Sequence, residues 1–275
     1  MKKYKLTDKT KVVNGHTLYR IQALKDFSDV KKGNLGGWIE SEENLGQDGT
    51  CWAYDNAMIF DNAKIKDKAK IKDNAMVLDN ARVLDNARVL DNARISDNTS
   101  VLDNAWISDN AMISGHACIS NDAIVSGHAC VSGSATISND ARVLDCANIL
   151  GNTRVSGYAR ISGCTCISSN AMVSEDAKVS EDAMVSGYAR ISGDAIISGD
   201  ANISKTPLQI YGTKHFVNIN GDKLQIGCQL HSIESWKAHF EKIGKSEGYS
   251  DEQIKEYKSY IDLAEKLMNK KPHAV

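Results

Sequence analysis

The chain has 275 residues, 25% of them charged, and a formal net charge of −2. So small a charge sets up no bulk field toward nucleic acid or an anionic membrane, and no apolar run approaches the roughly 18 residues of a membrane span. The cysteines, odd in number and irregularly spaced, do not make a secreted disulfide framework. MKKYKLTDKT lacks the apolar stretch of a signal peptide, so the expectation is a soluble, cytoplasmic protein.

In chain order, residues 3 to 30 alternate well enough for a hairpin turning at Asn14–Gly15. The stretch from Asn34 to Thr50, with Trp38, Ile39 and Leu45, suits the irregular first coils of a solenoid. Residues 1–53 are therefore expected to form an N-terminal cap.

From Ile59 to Ile203 an Ile or Val falls at every sixth residue, 25 times in succession. Two residues before each stands Ala, replaced only at Thr99, Thr153 and Thr165. Two residues after each, up to Ile197, stands Asp, Gly, Asn, Ser or Glu. A period of six is no amphipathic helix, whose apolar stripe recurs every three to four residues. Positions two apart share one side of a strand, and the residues beyond them are turn formers that tolerate left-handed dihedrals. Each hexad is then one short strand and one corner. Three hexads close a triangular coil, and coils stack by parallel pairing about 4.8 Å apart. Residues 54–204 are expected to form an all-β solenoid of eight such coils, its interior a column of Ile, Val and Ala. The absence of proline from the repeat agrees, because proline would remove a ladder donor.

Pro207 ends the hexads, and residues 205–275 are expected to form a β/α cap. LQIYGTKHFVNINGDKLQIGCQL reads as short strands with a turn at Gly221–Asp222. Ser232 is a fair N-cap for a helix ending before Gly244. Ser250 with Gln253 makes a capping box for a second helix, with Ile254, Tyr257, Ile261, Ala264 and Met268 on one face. The simplest role for these helices is to close the end of the prism; the sharper one is to dock a partner or a second chain.

The repeat over residues 54 to 203 resembles the hexapeptide-repeat proteins, and that resemblance implies a left-handed parallel β-helix. The flanking stretches HTLYRIQALKDF, GNLGGWIESEENL and IGCQLHSIESWKAHFEKIGKSEGYSDEQIKEYKSYI are similar to phage- and prophage-encoded hexapeptide proteins related to bacterial YdcK-like proteins. Members of the wider family include coenzyme A-dependent acyltransferases and metal-binding carbonic anhydrases, so the resemblance leaves activity open.

Acyltransferases of that fold generally have a loop thrown out of the coil and a histidine base. Here no loop interrupts the frame between Ala57 and Ile203. The coil carries only His116 and His128, two hexads apart and so on different edges. No phosphate-binding glycine loop or nucleophile elbow is present, and no cofactor is expected. The residues 54 to 204 hold 19 acidic against 13 basic side chains, interleaved as on a solvated surface, which speaks against mimicry of DNA. The preferred reading is a non-enzymatic, rigid binding or scaffold protein, phage-borne, which engages a host protein such as a defence component or assembles with itself as a dimer or trimer. A hexapeptide acyltransferase working as a trimer is the alternative, and a polyanion mimic a third reading.

Two groups of outward residues stand out. Stacking by whole coils of three hexads places Trp106 and Ile124 on adjacent coils between Arg88 and Arg142, and Met112 extends this uncharged belt to another face. An exposed aromatic beside an aliphatic, rimmed by arginines, has the composition of an interaction hot spot. The same stacking puts His128, Cys146 and Cys164 on one edge. A thiolate–imidazole metal site is conceivable there, but parallel rungs point side chains alongside one another, and free thiols are the expectation.

Overall fold

The computed structural model describes residues 2–220 and 223–268; the turn expected at Gly221–Asp222 lies outside them. The repeat folds as its period dictates. Each hexad yields a two-residue strand, from Met58–Ile59 to Asn202–Ile203, and partners stand one coil of three hexads apart, as Met58 to Met76 and Met76 to Arg94. Three parallel sheets form the sides of a left-handed β-helix. The prism has about nine turns, one more than the hexads alone provide. Leu35–Ile39 and Trp52–Ala53 pair in parallel with Met58–Ile59 and Lys70–Ile71, and Leu45 bridges to Ile65, so the irregular segment completes a turn of its own.

The interior is the expected column: Ala57, Ile59, Ala63 and Ile65 are fully buried, and the series continues to Ile197. Each such Ile or Val contributes roughly 1.5–3 kcal/mol by leaving water. Thr99 fits an alanine place because its hydroxyl donates to the Ser96 carbonyl at 2.7 Å. Every corner has a left-handed residue, from Asp61 (φ 57°) to Gly199 (φ 66°). Where it is Asp, the carboxylate also accepts the corner amide of the next coil, as Asp97 Oδ2 does from Gly115 at 2.8 Å. At Gly115 a side chain is excluded outright, since a Cβ would stand 2.7 Å from the Gly133 carbonyl oxygen.

At the N-terminus, strands β1 (Tyr4–Val13) and β2 (His16–Ala23) form the hairpin, turning through Asn14 and Gly15 in left-handed conformations. Its strands continue the sheet that begins with β3 (Leu35–Ile39), so the hairpin covers one open edge. Buried Lys3 donates to the Cys51 carbonyl at 2.9 Å, and Tyr4 donates to the Leu45 carbonyl at 2.7 Å.

At the C-terminus, four short antiparallel strands (Gln209–Tyr211, Phe216–Asn220, Lys223–Ile226 and Gln229–Ser232) precede helices α1 (Ile233–Ser246) and α2 (Asp251–Met268). Val217, Leu224 and Ile226 pack against Trp236, Tyr257 and Ile261 of the helices. On the other side of the sheet, Phe216 joins the solenoid core. Gln225 accepts the Ile196 amide at 2.7 Å and donates to the Asp194 carbonyl at 3.0 Å. It is therefore the sheet that closes the prism, while the helices back the sheet. The capping box at Ser250–Gln253 forms in both directions. Helix α1 runs past Gly244, before which the sequence predicts its end. That glycine is buried for close packing, a Cβ there meeting Ile254 at 3.0 Å, and the chain turns instead at Gly248 (φ 69°).

Candidate functional site

Because inward positions are spent on the core, the outward residue before each aliphatic distinguishes one face from another. One face presents Lys70, Arg88, Trp106, Ile124, Arg142, Arg160, Lys178 and Ile196 in register. A second presents Lys64, Arg82, Ser100, Cys118, Thr136, Arg154, Met172 and Arg190. The third presents Met58, Met76, Arg94, Met112, Cys130, Asn148, Cys166, Met184 and Asn202. Trp106 is 37% exposed, and the Arg88 guanidinium lies 5.2 Å from its ring centre. Ile124 is half-buried and Arg142 exposed beside it. Met112 stands on the third face, away from this group.

His128, Cys146 and Cys164 are all exposed along one edge. The neighbouring Cys146 thiol pushes the Cys164 pKa up, the response of two stacked thiols that resist a shared negative charge. These three residues do not gather their ligand atoms at one point. Among the described residues the only such cluster is His16, Glu40 and Asp61, within 4.8 Å of one another. There His16 Nδ1 lies 3.0 Å from Glu40 and Nε2 3.4 Å from Asp61. Each ring nitrogen faces a different carboxylate, the arrangement of a bridging imidazolium.

A cleft of about 650 Å³ lies where the cap folds back along the first face. Its prism wall comes from two columns, Arg160–Lys178–Ile196 outward and Tyr158–Asp176–Asp194 at the preceding corner. Its cap wall is Lys214, His215 and Phe216 with Gln225, Gly227 and Cys228. His215 is held from behind: the Tyr257 hydroxyl donates to its carbonyl at 2.7 Å and accepts its amide. The Lys214 ammonium is committed to the end of α1, donating to the Glu247 and Gly248 carbonyls at 2.6 and 2.9 Å. Arg160 and Lys178, in contrast, make no salt bridge among the described residues.

The cleft is thus bordered by a histidine, His215, which also lines the cavity inside the cap and whose ring lies 5.5 Å from that of Tyr249, together with two cations for an anion, two carboxylates for a cation, and an apolar wall of Ile196 and Phe216. A tighter cavity of about 30 Å³ inside the cap, lined by Trp236, Phe240, Ile254 and Tyr257 among others, holds no more than a water. Periodicity alone points to none of the cap residues of the cleft, since His215 and Cys228 lie outside the repeat. The signal in the sequence is the interruption itself: a non-repeating segment must pack on some face of the prism.

No family model matches the chain. A stretch of 69 residues is 39% identical to the uncharacterized acetyltransferase YdcK of Escherichia coli (strain K12), covering 22% of this chain and 21% of that protein. The match therefore spans about a fifth of that relative's length. Among solved structures, the UDP-N-acetylglucosamine acyltransferase of Francisella novicida aligns over 80% of this chain and 77% of its own, at 15% identity and a TM-score of 0.36. The Arabidopsis UDP-N-acetylglucosamine acyltransferase aligns over 80% and 78%, at 11% identity and a TM-score of 0.34. No helix among the described residues is long and apolar enough to cross a membrane.

Proposed function

We propose that the protein is an acyltransferase that works in the cleft between the prism and its C-terminal cap. The observation that carries this reading is the convergence of His215 with Arg160 and Lys178 in a cavity of about 650 Å³, within the usual range of small-molecule sites. The local likeness to a protein named as an acetyltransferase supports the same direction. It favours the enzymatic alternative over the scaffold reading drawn from the repeat.

In this reading Arg160 and Lys178 receive the phosphates of a coenzyme A thioester, and Phe216 and Ile196 line the path of its acyl arm. An acceptor amine or hydroxyl enters on the side of Asp176 and Asp194. His215 takes the acceptor proton as the nucleophile attacks the thioester carbonyl, and the thiolate leaves as the carbonyl re-forms. The test is release of free thiol from acetyl-coenzyme A across a panel of amine and hydroxyl acceptors. His215→Ala should lower turnover by about 10²-fold or more, the usual scale for a general base, without shifting the melting temperature. Lys178→Ala should raise the KM for the donor. No thiol release with any acceptor, and no thermal shift with acetyl-coenzyme A, would sink the reading.

A second reading keeps the protein as a binding module that grips a protein partner through Trp106 and Ile124, between Arg88 and Arg142. The observation in its favour is the exposed, guanidinium-stacked ring of Trp106, a residue type concentrated in hot spots. The viral setting suggested by the flanking stretches belongs to this second reading alone.

A further inference from the structure

We infer that the third face of the prism is a self-association surface, on which a second copy of this chain docks antiparallel about a two-fold axis through the Cys130 rung. The column there reads Met58, Met76, Met112, Cys130, Cys166 and Met184, with Asn148 between the cysteines, Asn202 at its end and Arg94 as its single charge. The fold does not impose this composition. These side chains point away from the core, and exposed Arg94, in register with Met76 and Met112, shows that the face accommodates arginine. Met112 and Met184 are 49% and 46% exposed, although about half of the same places on the other two faces hold Lys or Arg.

The charge pattern identifies the occupant. Pairing either of the other faces with itself, even antiparallel about its middle, would set like charges opposite each other, Arg88 against Lys178 or Lys64 against Arg190, which like-charge repulsion disfavours. The third face can pair with itself, but only in one sense. Parallel pairing would put Arg94 on Arg94. Antiparallel pairing about Cys130 puts Arg94 opposite Cys166, Met76 opposite Met184 and Met112 opposite Asn148, so no two charges meet. Methionine suits such a contact, because its unbranched thioether adapts to an irregular opposing surface. At about 4.8 Å per rung the face is about 40 Å long. Four residues across the face at about 3.3 Å each make it about 13 Å wide, so docking would bury about 1,000 Å² in all, at the lower bound for a specific interface. The association should accordingly depend on concentration, and an isologous pair closes on itself without forming filaments.

Sedimentation velocity over a range of concentrations should show the 30.0 kDa chain passing reversibly to twice that mass. Met112→Arg, which repeats on this rung what Arg94 already does one rung away, should leave melting unchanged and hold the protein as a monomer. Met172→Arg, the matching change on the second face, should leave the dimer intact. A short bis-maleimide should link Cys130 to Cys130, as mapped by peptide mass spectrometry. A wild-type chain that stays monomeric, or a trimer, overturns the proposal, as does a dimer that Met112→Arg leaves untouched or that Trp106→Ala dissolves instead. None of these outcomes depends on acyl transfer.

Discussion

An aspartate at a hexad corner meets two demands with one side chain. It accepts a left-handed backbone that costs most L-residues roughly 1–2 kcal/mol, and its carboxylate receives the amide of the corner one coil further on. Asp97, for example, sits at φ 57° and binds the Gly115 amide at 2.8 Å. Asp97→Ala removes both provisions and should lower stability by about 1–2 kcal/mol in denaturant titration, whereas Asp97→Asn, which keeps an oxygen acceptor and tolerates the same dihedrals, should change it little. This much is legible from residue type alone, because only Asp, Asn, Gly and a few Ser or Glu occupy these places. His215 is not legible in that way. Its place comes from a cap loop that shares a cleft with Arg160 and Lys178, across two to three coils' worth of intervening chain, and a side chain's neighbours across such a gap leave no trace in a repeat. Met112 lies between these cases. The coil period lets every outward column be stacked from the sequence, but the column through Trp106 stands out first, because one tryptophan is more conspicuous than a file of methionines.

Among the elements, the N-terminal hairpin is attached in part through ionised groups. His16 at the start of β2 reaches Glu40, just beyond β3, and Asp61 at the first hexad corner. The hydrogen bond to Glu40 raises the His16 pKa, and the carboxylates of Asp61, Glu40 and Asp79 push the same way against partial desolvation. The same bond holds Glu40 below its ordinary value. His16, raised on folding, adds stability that is whole below its ordinary value of 6.5 and is lost as pH climbs through the folded value. Glu40, lowered on folding, adds stability that is whole above its ordinary 4.5 and is lost as pH falls through the folded value. The difference in melting temperature between wild type and His16→Ala should therefore be greatest between pH 4.5 and 6.5 and shrink on either side. A difference that stays flat with pH would show that the hairpin is held by packing alone. The hairpin itself is readable from Asn14–Gly15. Its clamp is not, because Glu40 falls in the irregular turn where no frame tells which way a side chain points.

For the whole molecule, the uninterrupted frame from Ile59 to Ile203 turns chain length into an angle. One hexad is a third of a revolution, and one coil is a full revolution. Removing residues 81–98 should shorten the prism by a storey and bring each side chain back above its former face. Removing only residues 81–86 should keep the core filled and the fold cooperative, yet deal the two halves onto different faces, so that Arg94 would stand over Lys70 and no longer over Met76. Both deletions should unfold in a single transition, while only the longer one should preserve dimer mass in sedimentation. Such a chain can gain or lose whole storeys freely, but any other in-frame change of length twists its two ends out of phase. The hairpin at one end and the cleft at the other are thus hands of one clock, set by counting residues modulo eighteen.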